Sequence, residues 1–347
     1  MISAVPYTTE GWLDVGRLMP HVLPFTWIWG GRGIGKTFGF LLDVRYNNPR
    51  QFLILRRTKT QFDLLKKTRF NPFIPVDRLA GGFTAVVAER DTATFYNGVQ
   101  EGDNIVPQGP PIGYALALST MHNVRGIDLS DVDVVIYDEF IPERHERPIQ
   151  HEYTAWENAI ETVSRNRELQ GRPPLQFIGL TNSNTLDNPY FVGMEVIRTV
   201  DKMLQEGREI WTDRARGLML INITHSPISD RKAKTALYKL AGKNDFTEMS
   251  LGNKFAGEHC SNKGSFPLVE LRPVVAVGEL TIYKHKSKQA WYVCDHYSGN
   301  PPKYAADDMN LLRFRRDYTA LWKLYLANAL VFQDIMAEIL FKKYFAV

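Results

Sequence analysis

The feature that most constrains this chain is the octapeptide Gly30-Gly31-Arg32-Gly33-Ile34-Gly35-Lys36-Thr37. It satisfies the phosphate-loop pattern Gly-x4-Gly-Lys-Thr in full. An apolar run at 25–29 leads into it and helical spacing continues from 36 to 46, predicting strand, loop and helix in that order. Glycines allow backbone conformations that turn successive N–H groups onto phosphate oxygens, and the helix N-terminus adds partial positive charge. Lys36 is expected to reach the β- and γ-phosphates and the Thr37 hydroxyl to coordinate Mg2+, so ATP and Mg2+ are the expected ligands. Two roles stay open for Arg32: touching phosphate, or bracing the loop against the sheet.

A second signal lies at 132–139, Val-Asp-Val-Val-Ile-Tyr-Asp-Glu, a buried strand ending in two carboxylates. Downstream of a complete phosphate loop, Asp138 is expected to hold Mg2+ through water, and Glu139 to polarise an attacking water as general base. A strand that ends in a polar turn is the plain alternative. The adjacent glutamate marks nucleotide hydrolysis by the additional-strand class of P-loop NTPases.

Further strands are predicted at 52–55, 114–118, 177–181 and 218–224, a hairpin within 81–97, and helices around 152–166 and 189–206. Strands alternating with helices predict an α/β fold with a mostly parallel sheet covered on both faces. From about 227 the character changes to a charged helical stretch (230–242), then β-type runs at 274–277, 280–285 and 290–294. The predicted division is an ATPase domain at 1–228, a helical linker or lid at 229–258, and a small α+β domain at 259–347. The apolar stretch 321–345 is interrupted by Lys323, Asp334, Glu338, Lys342 and Lys343. Its spacing predicts one amphipathic helix, broken in pattern only at Asn328, rather than a membrane span.

With 44% hydrophobic and 23% charged residues among 347, wholesale disorder is excluded. A net charge of +4 suits a polyanionic partner without demanding one. Cys260 and Cys294 form neither a zinc-like cluster nor a framework of staples, which points to a reducing compartment. No signal-peptide pattern is visible at the N-terminus.

Five strings occur in order: 30–37, Asp-Glu-Phe-Ile at 138–141, Arg-Asn-Arg-Glu at 165–168, Asn-Pro-Tyr-Phe at 188–191 and Glu-Met-Ser-Leu at 248–251. Together the chain resembles the genome-packaging ATPases of phi29-like bacteriophages over roughly residues 25–260. The resemblance implies a motor that pumps double-stranded DNA into a preformed capsid. It implies a pentameric ring at the portal vertex, with a packaging RNA between portal and ATPase. Such a motor works in the host cell cytoplasm, transiently at the portal, and engages no membrane. The family's C-terminal domain resembles an RNase H-like nuclease that has lost its metal site. Asp295, Asp307 and Asp308 show no pattern of strand-borne carboxylates able to hold two metals, so no nuclease activity is expected. A helicase or remodelling ATPase on the same core, and a capsid-vertex structural protein, are the competing readings.

The resemblance makes Arg165, ahead of Arg167, the candidate arginine finger supplied to a neighbouring subunit; the alternative is a solvated helix end. Lys59 either reaches a neighbour's nucleotide or sits on the surface. Asn182, at a strand end, is either a γ-phosphate sensor or part of a turn. The runs Lys66-Lys67-Thr68-Arg69 and Lys284, Lys286, Lys288 are candidate DNA or RNA contacts, or simply solvated faces.

Overall fold

A computed structural model of the chain describes residues 2–67, 70–124, 126–143, 146–253, 255 and 262–345. Cys260, Thr68, Arg69 and the predicted 258/259 domain boundary lie outside the described residues. The chain falls into two compact units, residues 1–190 with 203–256, and residues 191–202 with 257–347.

The first unit is organised by nine strands: β1 (Phe25–Gly30), β2 (Phe52–Arg56), β3 (Thr84–Ala88), β4 (Ala93–Glu101), β5 (Asn104–Ala117), β6 (Val134–Asp138), β7 (Gln176–Thr181), β8 (Ile210–Asp213) and β9 (Leu218–Ile223). Their order is β3-β4-β5-β2-β6-β7-β1-β9-β8. The six strands from β5 to β9 in that order are mutually parallel, while β3, β4 and β8 pair antiparallel at the flanks. Near-continuous burial of β1, β6, β7 and β9 follows from helices on both faces. Strand β7 is inserted between β1, which feeds the glycine loop, and β6, which ends in the two carboxylates. This is the additional strand that the glutamate predicted. Because these strands run parallel, Gly30, Asp138 and Thr181 all emerge at one edge of the sheet.

One face is covered by apolar side chains including Ile28, Phe40, Leu41, Ile54, Ile136 and Ile221. The other carries an aromatic cluster in which Trp27 packs on Phe140, Trp156, Phe177 and Tyr190. Gly179 lies beneath it, where an added Cβ would stand 2.6 Å from the Trp27 ring.

Several elements differ from their prediction. The α-helix after the loop stops at Leu42 and continues as a π-turn, Asp43–Asn47. Strand β5 begins ten residues earlier than 114, and its outer part holds Pro107, Pro110 and Pro111. Prolines are tolerated there because β2 pairs only with Gly113–Ala117, leaving the outer edge without a ladder to complete. Strand β8 was not predicted. The 189–206 helix is two, Pro189–Gly193 and Ile197–Glu206, with Glu195 at φ 59 between them. The charged stretch forms the helices Pro227–Lys232 and Ala236–Ala241, followed by Asp245–Gly252.

The second unit holds strands β10 (Leu271–Val277), β11 (Leu280–His285), β12 (Trp291–Cys294), β13 (Lys303–Tyr304) and β14 (Leu330–Phe332), in the order β13-β10-β11-β12-β14. Strands β10 to β12 form an antiparallel meander, with β13 parallel to β10 and β14 parallel to β12. Helices Asp308–Asp317, Thr319–Leu326 and Ile335–Phe345 bury Phe314, Leu321 and Phe341 against Val275, Val277, Ile282 and Val293. The single helix predicted over 321–345 is therefore wrong. Asn328 takes a left-handed φ of 54, the chain turns, and Leu330–Phe332 joins the sheet beside β12. Among the described residues no helix is long and apolar enough to cross a membrane. Among them, too, no three His, Cys, Asp or Glu side chains converge as a metal site. Asp307 instead caps the helix Asp308–Asp317, and Asp295 pairs with Arg198 at 2.6 Å.

Candidate nucleotide-binding site

Gly33 and Gly35 take φ of 61 and 93, the left-handed region where a side chain is strained, and Gly35 opens the helix Lys36–Leu42. Gly31 has a different reason for being glycine: its Cβ would stand 2.6 Å from the Ser250 carbonyl. Gly30 is crowded in the same way: its Cβ would stand 2.8 Å from Ile223 of β9 and 3.1 Å from Ile34. The loop is thus closed on one side by the helix Asp245–Gly252, which explains one of the familiar strings, Glu-Met-Ser-Leu.

Residues 32–38 of the loop, with Asp138, Glu139, Thr181 and Asn182, line a cavity of about 340 Å3. Lys36 is buried, and its ammonium donates to the carbonyls of Gly30 at 3.0 Å and Gly31 at 2.8 Å and to Asn182 Oδ1 at 3.3 Å. Burial pushes it down to about 7; Asp138 works against that shift, and Lys232 and Arg32 add to it. The Thr37 hydroxyl donates to Asp138 Oδ1 at 3.0 Å. An alcohol and a carboxylate meeting at one point are the hard oxygen donors that Mg2+ takes, so this corner fits that ion. The metal would be held by Thr37 and Asp138.

Glu139 is the first residue past β6. Its N–H donates to the Leu180 carbonyl at 2.7 Å, yet its φ is 61. A non-glycine residue held there is strained, and such strain is concentrated at functional sites. Its carboxyl is raised above the usual glutamate range by burial in the cleft wall and by Asp138, Glu143 and Glu146, with Arg56 opposing. Half of its side chain still reaches solvent.

Sequence reading missed Arg56. From the end of β2 its guanidinium pairs with Asp138 Oδ2 at 3.0 Å and with Glu139 Oε2 at 3.1 Å. Its adjacency to the Walker-type carboxylates follows from the β2–β6 register, Arg56 opposite Asp138, which no local pattern encodes. Arg32 pairs with Glu143 and its backbone N–H donates to Ser250 O at 3.2 Å, so it braces the loop. Beside the loop, a mostly apolar cavity of about 730 Å3 shares Gly33, Gly35 and Phe38 with the phosphate site and is walled by Trp12, Leu42 and Leu79. Trp12 and Phe38 are 41% and 38% exposed there, unusually open for large aromatic residues.

The other candidates lie elsewhere. Arg165 ends the helix Glu152–Ser164 with φ 46 and bonds the Ile127 carbonyl at 2.9 Å and Asp128 at 3.3 Å. Residues 127–128 precede β6, so Arg165 sits at the strand-start edge, roughly 15 Å of strand away from its own loop. Arg167 is buried against Asp133 and the Pro173 carbonyl on that same edge. Lys59 sits at the nucleotide edge but three strands out from β1, tied to Asp91 at 2.8 Å. Lys66 is turned onto Asp63 and the carbonyls of Glu89 and Arg90, and Lys67 is exposed. On the second unit Lys284, Lys286 and Lys288 are exposed; Lys284 lies over Trp291, Lys288 lies over Phe266, and Lys286 caps the Val269 carbonyl.

A glycine loop, a strand inserted before the acidic strand, and Lys36, Thr37, Asp138 and Glu139 at one sheet edge define an additional-strand P-loop NTPase. The family model for the podovirus DNA encapsidation protein (Gp16) matches residues 7–265. The chain belongs to that family of genome-packaging proteins. It is 26% identical over 265 residues to the DNA packaging protein of Bacillus phage phi29, covering 74% of this chain and 68% of that one. Among solved structures, the bacteriophage Phi-29 viral genome packaging motor assembly matches with a TM-score of 0.59 at 17% identity, over 96% of this chain and 99% of the other. The Phi-28 gp11 DNA packaging motor gives 0.58 at 19%, over 97% and 98%. These two likenesses extend the fold correspondence across both units.

Proposed function

We propose that this chain is the ATPase of a viral packaging motor that couples hydrolysis to movement of double-stranded DNA into a preformed capsid. The observation that carries the reading is the convergence of Lys36, Thr37, Asp138, Asn182 and a strained Glu139 on one cavity, in a chain of the encapsidation family. Lys36 and the loop N–H groups grip the β- and γ-phosphates, and Asn182, whose Oδ1 accepts from the Lys36 ammonium at 3.3 Å, is assigned to register the γ-phosphate. Bound Mg2+ would neutralise charge on the phosphate oxygens. Glu139 accepts a proton from water as its oxygen attacks the γ-phosphorus; the bond to the β–γ bridging oxygen breaks, and ADP and inorganic phosphate leave. The exposed Trp12 and Phe38 are proposed to seat the base.

The working assembly in this reading is a homo-oligomeric ring, pentameric by the resemblance, at the portal of a procapsid in the host cytoplasm, with a packaging RNA as a further partner. Functionally, residues 1–228 are the ATPase domain, 229–258 a helical linker or lid, and 259–347 a domain without nuclease activity whose Lys284, Lys286 and Lys288, with Lys66 and Lys67, are candidate nucleic-acid contacts. Lys59, Arg165 and Arg167 are the candidates for service to a neighbour, with Arg165 foremost because its side chain is 43% exposed whereas that of Arg167 is buried.

The test is nuclease protection of duplex DNA by empty capsids with ATP, comparing the native chain with Glu139→Gln. Protection by the native chain alone is expected. Protection by both sinks the hydrolytic assignment, and strand separation by the native chain transfers the reading to a helicase.

A further inference from the structure

Lys232 is the last residue of the helix Pro227–Lys232, and its ammonium donates to the carbonyl of Arg32 at the tip of the phosphate loop. A Cβ built on Gly33 would lie 3.2 Å from that ammonium, so Lys232 occupies the space that a side chain at 33 would take. The phosphate cavity begins at these same two residues. Arg32 and Arg56, the neighbouring guanidinium groups, are each paired with carboxylates. Lys232 has no carboxylate partner among the described residues; its other contact is the face of Tyr238 at 5.4 Å. Tyr238 stacks on Phe246 of the helix Asp245–Gly252, and Ser250 of that helix accepts the Arg32 N–H. Two helices of one segment therefore hold one loop residue, through its carbonyl and its N–H. Within that seam the Ser250 hydroxyl and Arg32 Nε have no hydrogen-bond partner among the described residues.

A neutral donor would brace a carbonyl equally well. A third cation beside Lys36 and Arg32 is costly unless an anion comes between them. We propose that Lys232 is a positioning residue for the terminal phosphate of ATP, joining the 227–252 helices to the presence of a γ-phosphate. This rests on the nucleotide-site reading above. Hydrolysis and phosphate release then remove what Lys232 holds, so the segment's grip on the loop changes with each turnover.

The test uses the full-length protein and measures binding of ATPγS and of ADP, each with Mg2+, together with Tm in the absence of nucleotide. Lys232→Gln keeps a donor for the Arg32 carbonyl and removes the charge; Lys232→Arg keeps the charge. Expected for Lys232→Gln is an affinity for ATPγS about ten- to hundredfold lower, as for loss of one charge-assisted hydrogen bond, with ADP affinity and Tm unchanged. Lys232→Arg should restore ATPγS binding. An equal loss for both nucleotides, a fall in Tm, or no change for either nucleotide overturns the proposal in favour of a plain brace. A parallel Lys36→Ala protein keeps the two readings apart. If it still binds both nucleotides the site itself is misassigned; if it binds neither while Lys232→Gln binds normally, only the role of Lys232 fails.

Discussion

Individual residues at the site hold opposing charges under tension. Lys36 is lowered from 10.5 to about 7, mainly by burial. Between those two values the unfolded chain carries a proton on this lysine that the folded chain does not, so unfolding free energy gains from this group as pH rises from about 7 to 10.5. Below about 7 both states are protonated and the burial penalty is complete. Urea unfolding of Lys36→Met without nucleotide should show a flatter rise across that window than the native chain. Glu139 behaves in the opposite sense, raised by burial and neighbouring carboxylates with Arg56 pulling it down. In its proposed role as general base it must be ionised, so kcat should fall on an acid limb above the ordinary glutamate range. Arg56→Gln removes the opposing cation and should move that limb to still higher pH; a limb that stays in place would detach Glu139 from the proton transfer. That the loop and both carboxylates would share one site was legible in sequence because each belongs to a contiguous pattern, and they line one cavity. Arg56 was not, since only the β2–β6 register brings it to them.

Elements are joined by a buried polar network that the short strings hinted at without explaining. Arg57, fully buried after β2, forms a bidentate pair with Glu152 at 2.7 and 2.9 Å. Glu152 also accepts the Tyr190 hydroxyl at 3.0 Å, and Tyr190 meets the Tyr137 hydroxyl at 2.6 Å. Tyr190 is the tyrosine of Asn-Pro-Tyr-Phe, so that string is a tether for the first turn of the helix Glu152–Ser164. With Glu152→Ala the buried Arg57 guanidinium keeps only Glu146 at 3.5 Å and the Arg147 carbonyl at 3.0 Å, and the loss should cost about 3 kcal/mol in chemical denaturation. The double variant Arg57→Met with Glu152→Leu should recover much of that loss. Helix spacing predicted this helix well. It failed at 321–345, where Asn328 and the open edge of β12 outweighed an apolar pattern that either a helix or a strand can satisfy.

At the scale of the molecule, the edge opposite the loop is where Arg165 lies, so its guanidinium cannot serve its own nucleotide. A ring in which that edge meets a neighbour's loop predicts complementation. Neither Arg165→Ala nor Glu139→Gln alone should hydrolyse ATP when assembled on capsids, whereas mixtures should regain part of the activity. Mixtures that assemble and stay inactive would return Arg165 to its bond with Asp128 as a plain helix end.

The phosphate loop, the acidic strand end and the α/β class were determined by the sequence itself, because each depends on contiguous residues and on periodicities that follow from backbone geometry. Tertiary structure decided which distant residues share the site. Parallel pairing brings the ends of β1, β2, β6 and β7 to one edge, setting Arg56 on Glu139 and Asn182 on Lys36, while the 227–252 helices carry Lys232 and Ser250 to the loop. Those contacts span up to 218 residues of chain, from Arg32 to Ser250, and no local preference records them; they exist only once the sheet is assembled and its helices are packed.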